Sequence, residues 1–146
     1  MSAFTDAEIA YMDRITLARL ATIGPDGRPH VIPLTYRYNP DEDAIDIGGI
    51  NFASGKKWRD AQRNPKITLL IDDFDPTAQP PAAHALEIRG DAEIHERGGS
   101  TINPRFPNFV EQFIRLRPVH IVSWGLNAPV GTNPAQVPVS SRSVGR

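Results

Sequence analysis

Lys56, Lys57, Arg59, Arg63 and Lys66 place five cations, with Asp60 as the lone carboxylate, in the thirteen residues from Ser54 to Lys66 of a chain whose net charge is −1. A generally basic surface does not account for that local excess. If the segment is a helix, its first turn offers unpaired backbone N–H groups and a partial positive charge, and Lys56 and Lys57 add full charges, a combination suited to an anionic ligand such as a phosphate. Each charge-assisted hydrogen bond to such a group contributes roughly 1.5–3 kcal/mol. The same charges also suit a solvated helix face, and the pattern alone leaves both readings open. Trp58, a single large aromatic in this helix, reads more readily as a core anchor than as a stacking platform.

Other chemistries find little support. His30, His84, His95 and His120 are scattered without metal-ligand spacing, so no metal site is expected. Ser140, Ser141 and Ser143 lie near the C-terminus, and no serine is flanked by glycines as in a nucleophile elbow. The carboxylates Asp41, Glu42, Asp43, Asp72, Asp73 and Asp75 occupy turn-like positions where solvation is the ordinary explanation. An enzyme without nucleophile, metal or acid–base pair still works if a cofactor carries the reactive atom and the protein positions it, which points to a redox cofactor with a phosphate.

The elements that must position these residues are mostly strands. Thr5-Asp6-Ala7-Glu8 fits a capping box that opens a short helix. Leu17 to Ile23 and Pro29 to Tyr38 read as a hairpin around Gly24-Pro25-Asp26-Gly27, and Ala44 to Gly48 as a third strand. Ser54 is placed to N-cap a helix of about ten residues, stopped by Asn64-Pro65. Lys66 to Asp72 returns to strand. From Leu86 to His95 the chain alternates, with Leu86, Ile88, Gly90, Ala92 and Ile94 on one face and charged residues on the other. Asn108 to Leu116 reads as a short helix and Val119 to Trp124 as the sixth and last strand. Six short strands joined mainly by tight turns favour an antiparallel barrel, whose closure removes exposed edges. Residues 127–146 hold Pro129, Pro134 and Pro138 and no apolar period, so they are expected to be a flexible tail or an arm on a partner subunit, distinct from a domain spanning residues 1–126.

With 146 residues, 40% of them hydrophobic and 23% charged, the chain is the size of one domain with a real core. No apolar run approaches the roughly 18 residues of a membrane span, and the first twenty residues lack the pattern of a signal peptide, so a cytoplasmic location is expected. The absence of cysteine removes disulfides, thiolate metal sites and a thiol nucleophile together. Near-neutral charge and the acidic mixture on the strand Leu86 to His95 argue against nucleic-acid binding.

The order Arg19-Leu20-Ala21-Thr22-Ile23-Gly24-Pro25-Asp26-Gly27-Arg28-Pro29-His30-Val31-Ile32-Pro33, then Ile45-Asp46-Ile47-Gly48-Gly49, then Lys56-Lys57-Trp58-Arg59-Asp60 and Arg63-Asn64-Pro65 resembles the pyridoxamine 5′-phosphate oxidase-like split β-barrel superfamily. The stretch Arg117 to Leu126, with Leu86-Glu87-Ile88-Arg89-Gly90, looks most like its actinobacterial branch that uses the deazaflavin F420. The resemblance covers roughly Thr5 to Leu126.

It implies a homodimer of six-stranded split barrels with cofactor sites at the subunit interface. It also implies that the cofactor phosphate is held at the start of the helix after the third strand, by Lys57 first and by Lys56. The second strand then runs beside the flavin-like ring through Pro33, Leu34 and Thr35. Asn51 and Ser54 become partners for the phosphate or polyol chain, and Trp124 lines the cleft from the other subunit or serves the core. Related sequences often carry a hydroxyl residue directly before the paired lysines, where this chain has Gly55. The activity implied is hydride transfer between reduced F420 and a small unsaturated organic substrate. An FMN-binding oxidase or reductase of the same fold and a non-catalytic carrier of flavin or F420 are the alternatives. The proton donor is left open among solvent, Tyr36 and Ser123, and no catalytic residue is assigned.

Overall fold

The computed structural model describes residues 1–129 and 131–145. Helix α1, Asp6–Arg14, opens with the expected capping box: Thr5 Oγ1 accepts from Glu8 N at 3.2 Å, and Glu8 Oε1 accepts from Thr5 N at 2.9 Å. Strands β1, Leu17–Ile23, and β2, Pro29–Thr35, form the hairpin, with Arg19 opposite Pro33 and Leu17 opposite Thr35. The second strand does not run unbroken to Tyr38. It breaks at Tyr36 and resumes as β3, Arg37–Asn39, which pairs with β4, Ala44–Ile47.

That break closes the barrel. The sheet order is β2-β1-β5-β6-β7-β4-β3, so β2 and β3 lie at opposite ends of the path yet are joined through one residue. A single bent strand therefore pairs with β1 along its first half and with β4 along its second. The Tyr36 ring is buried at the bend, and its hydroxyl donates to Met12 O at 3.1 Å and to Ile15 O, tying the C-terminal end of α1 to the seam.

Strands β5, Lys66–Asp75, and β6, Ala82–His95, are longer than expected, because their pairing continues with Asp73, Phe74 and Asp75 opposite His84, Ala83 and Ala82. The expected helix at Asn108 to Leu116 is absent. Strand β7, Phe113–Trp124, takes its second half, since Ile114 and Leu116 face the core while Arg115 and Arg117 alternate outward onto Asp46, Glu42 and Glu93, a period of two. At a register shift between Arg89 and Gly90, β6 and β7 come so close that a Cβ on Gly90 would lie 2.1 Å from Arg117 O. The core is the inner row Leu20, Ile45, Ile47, Leu69, Ile71, Leu86, Ile88, Ile114, Leu116 and Ile121, all inaccessible to solvent.

Six strands were expected and the described residues form eight. The break at Tyr36 supplies one, and the C-terminal segment supplies the other: Val139–Ser143 forms β8 and pairs with β7 of its own chain. Its anchor is polar, as Arg142 Nη1 donates to the buried Glu8 carboxylate at 3.0 Å and Nη2 donates to Ala3 O at 2.7 Å. A search for apolar periodicity misses such a strand.

Candidate functional site

Between β4 and β5 the chain makes a 3-10 turn, Phe52–Ser54, and then helix α2, Lys56–Arg63. Ser54 is not the N-cap. Its hydroxyl donates back to Asn51 O at 3.0 Å, which keeps Ser54 in the turn and makes Gly55 the N-cap of an eight-residue helix with no side-chain cap. Trp58 is core, 5% exposed and edge-on to Phe52.

The two lysines diverge. Lys56 Nζ donates to Asp60 Oδ2 at 2.8 Å, and Asp60 also accepts from Thr22 Oγ1 at 3.2 Å and from Arg63 Nη1 at 3.4 Å. Burial alone would raise the Asp60 carboxyl, but Lys56, Thr22 and Arg63 together hold it below the ordinary range. Lys57 folds back across the turn, with its ammonium 5.0 Å from the centre of the Phe52 ring and no carboxylate partner among the described residues. Burial lowers its pKa from the ordinary lysine value. A half-buried cation over an uncapped helix N-terminus fits a phosphate. Asn51 and Ser54 stand in the same turn, so the fold does bring Asn51, Ser54 and Lys57 together. Arg59 turns to Ser54 O at 2.9 Å instead.

The other expected site residues lie farther along the barrel. Asp60 meets β1 at Thr22, opposite His30, and Pro33 and Thr35 follow three and five residues beyond His30, roughly 10 and 17 Å along the strand. By strand alternation Pro33 and Thr35 face outward and Leu34 faces inward beside Ala18. Trp124 ends β7 opposite Ala85 and Val139, at the far end of the barrel from α2, where it lines a cavity of about 870 Å3 with Asp72, His84 and Pro129. Among the described residues, Lys57 does not line that cavity.

Neither proton-donor candidate stands free. Tyr36 gives its hydroxyl to two backbone carbonyls, and burial pushes its phenol well above the ordinary value. Ser123 is 6% exposed, paired with Leu86 inside the barrel. A cluster the sequence reading passed over does stand beside the cavity: Tyr11 Oη donates to Asp73 Oδ1 at 2.6 Å, and His84 Nδ1 lies 3.3 Å from the same carboxylate. These three residues are 62 and 11 positions apart along the chain, so no local motif announces them.

The model of the pyridoxamine 5′-phosphate oxidase family matches residues 4–119. The chain belongs to this family. A relative in Streptomyces rimosus, a 5a,11a-dehydrotetracycline/5a,11a-dehydrooxytetracycline reductase, is 29% identical over 143 residues, which is 98% of each chain. Membership of an oxidase family and near-full-length similarity to a reductase class this chain as an oxidoreductase. Among solved structures, a conserved hypothetical protein of Mycobacterium tuberculosis superposes with a TM-score of 0.66 at 22% identity, over 86% of this chain and 88% of that one. An F420 reductase superposes with a TM-score of 0.56 at 20% identity, over 77% and 93%. Both show that the family's split-barrel fold is the fold of this chain.

Proposed function

We propose that this family member is an F420-dependent oxidoreductase acting in the cytoplasm on a small unsaturated organic substrate, with residues 1–126 carrying the cofactor. The observation that carries the reading is Lys57, a half-buried ammonium without a carboxylate partner among the described residues, poised over the uncapped start of α2. Lys57 takes the phosphate, Asn51 and Ser54 offer hydrogen bonds beside it, and Lys56 remains with Asp60. The outward residues Pro33 and Thr35 flank the ring, and Leu34 supports them from inside. A reduced deazaflavin bound there would supply a hydride from carbon 5 and leave oxidised, while the chain would contribute position and a shielded surface.

A homodimer completes the site in this reading. Leu17 and Val31 are 50% and 60% exposed on the outer face of β1 and β2, beside Pro33, and a second subunit laid there covers them and brings its own Trp124 to the cleft. The substrate class follows the Streptomyces rimosus relative, whose named substrates are dehydrotetracyclines, so a conjugated ring ketone is the first compound to try.

Titration of the cofactor-free protein with F420 and with FMN tests the assignment. Tight F420 binding and oxidation of the reduced cofactor by conjugated ketones are expected. Tight FMN binding with no measurable F420 binding replaces it with the FMN reading, and cofactor binding without turnover of any ketone replaces it with a carrier.

A further inference from the structure

The cavity of about 870 Å3 at the far end of the barrel is enclosed by the β5–β6 hairpin on one side and the segment after Trp124 on the other. Its volume lies in the range of small-molecule sites, roughly 300–1,000 Å3. Trp124, Phe74, Pro80, Pro129 and Val137 make the wall mainly apolar and ring-rich. The charges along it are of one sign: Asp72, Asp73 and Asp75 line it, and no lysine or arginine does among the described residues. Arg19 reaches Asp72 from outside at 2.5 Å, and Thr77 N and Oγ1 hold Asp75 at 2.9 and 2.6 Å. Asp73 is shared between Tyr11 Oη and His84 Nδ1. With Nδ1 turned to that carboxylate, His84 Nε2 has no hydrogen-bond partner among the described residues. In the neutral ring with its proton on Nδ1, Nε2 accepts a hydrogen bond.

We propose that this cavity binds a neutral or cationic ring-bearing small molecule, with His84 Nε2 as its hydrogen-bonding contact, and that the organic substrate sits there. The substrate assignment rests on the cofactor reading above. Arg19 links the two regions, pairing with Pro33 across the hairpin and meeting Asp72 on the cavity rim, two strands or roughly 10 Å from β2. The molecule then separates its ligands by charge: a phosphate at Lys57, and an uncharged or positive ring system among the aspartates. Carboxylated or sulfonated rings are rejected by repulsion.

Calorimetric titration at pH 7 with 2-(aminomethyl)naphthalene, 2-naphthalenemethanol and 2-naphthalenesulfonate tests the proposal, because the three share a ring and differ in charge. The amine is expected to bind at least about fivefold tighter than the sulfonate, with the alcohol between them. Ala128→Trp, or Ala83→Trp on the opposite wall, should abolish amine binding while cofactor affinity is unchanged, and His84→Ala should weaken the alcohol several-fold. With a ketone that the protein reduces, the amine should compete with the ketone and not with the cofactor. No binding of the amine, a sulfonate that binds as well, or amine binding that survives both tryptophan variants overturns the cavity site; non-competitive inhibition overturns the substrate assignment. If Lys57→Ala leaves cofactor affinity intact, the cofactor reading fails independently.

Discussion

Lys56 Nζ lies 2.8 Å from the carboxylate of Asp60, whose side chain is only 2% exposed, so two adjacent lysines of one helix do different things. The first compensates a buried charge at the junction of α2 and β1. The second is left with an aromatic ring and the helix N-terminus.

Replacing each lysine with alanine separates these roles. Lys56→Ala leaves Asp60 short of a partner and should cost about 1–3 kcal/mol in a urea melt. Lys57→Ala should leave stability within about 0.5 kcal/mol while weakening F420 or FMN binding about tenfold or more. Equal effects of the two substitutions on affinity would remove the distinction.

Affinity should also depend on pH through Lys57. Burial lowers its pKa in the free protein, so the ammonium is lost at a lower pH than in an ordinary lysine, and phosphate affinity should fall as pH rises from 7 towards 10. Lys57→Arg keeps its charge over that range and should flatten the profile. Dissociation constants measured at three or four pH values decide it.

Gly55 invites a gain. Its φ of −87° is accessible to any residue, and a Cβ there would lie 3.4 Å from Phe52 O and 3.5 Å from Lys57 Nζ, ordinary contact distances. Gly55→Ser should therefore fit, cap α2 for a few tenths of a kcal/mol, and set a hydroxyl beside the lysine. Tighter cofactor binding with a small rise in Tm is expected; weaker binding would show that the phosphate needs the bare backbone.

The last strand should prove structural. Burial alone would push the Glu8 carboxyl up, but the Arg142 guanidinium and Thr5 N–H hold it below the ordinary value. A depressed carboxylate adds stability that is present above the unfolded-state pKa, about 4.3, and lost as pH falls through the lower folded-state value. Arg142→Ala should cost about 3 kcal/mol at pH 7, with the deficit shrinking in acid, as should removal of everything after Leu126. Unaltered melts for both would make the segment a dispensable tail.

Val31→Glu probes the proposed dimer by placing a charge on the outer face of β2, where Val31 is 60% exposed. Sedimentation should report a shift from dimer to monomer together with weaker cofactor binding, because the second half of the site is lost. A wild-type monomer that binds cofactor tightly would dismiss the dimer.

Local chemistry wrote much of this molecule plainly. Thr5 and Glu8 announced α1, the run from Gly24 to Gly27 announced the first hairpin, and Leu86 to Ile94 showed a strand with one wet face, because each signal depends on residues a few positions apart. The helix expected near Asn108 failed for the opposite reason. The outward partners of Arg115 and Arg117 are Glu42, Asp46 and Glu93, contributed by distant segments, and they reveal the two-residue period that the short window obscured.

By itself, then, the sequence determined a family, a mostly β barrel and a cationic helix suited to phosphate. Tertiary structure decided which of the two adjacent lysines has no carboxylate partner among the described residues, since only folding brings Thr22 and the buried Asp60 together and commits Lys56 to them. It also decided that Tyr36 sits buried in the seam with its hydroxyl on two backbone carbonyls, and that Tyr11, Asp73 and His84 meet beside a cavity. The reason is physical: helix caps and turns are energies of neighbours along the chain, whereas the pairing of buried charges and the walls of a cavity depend on residues that only the closed sheet makes neighbours.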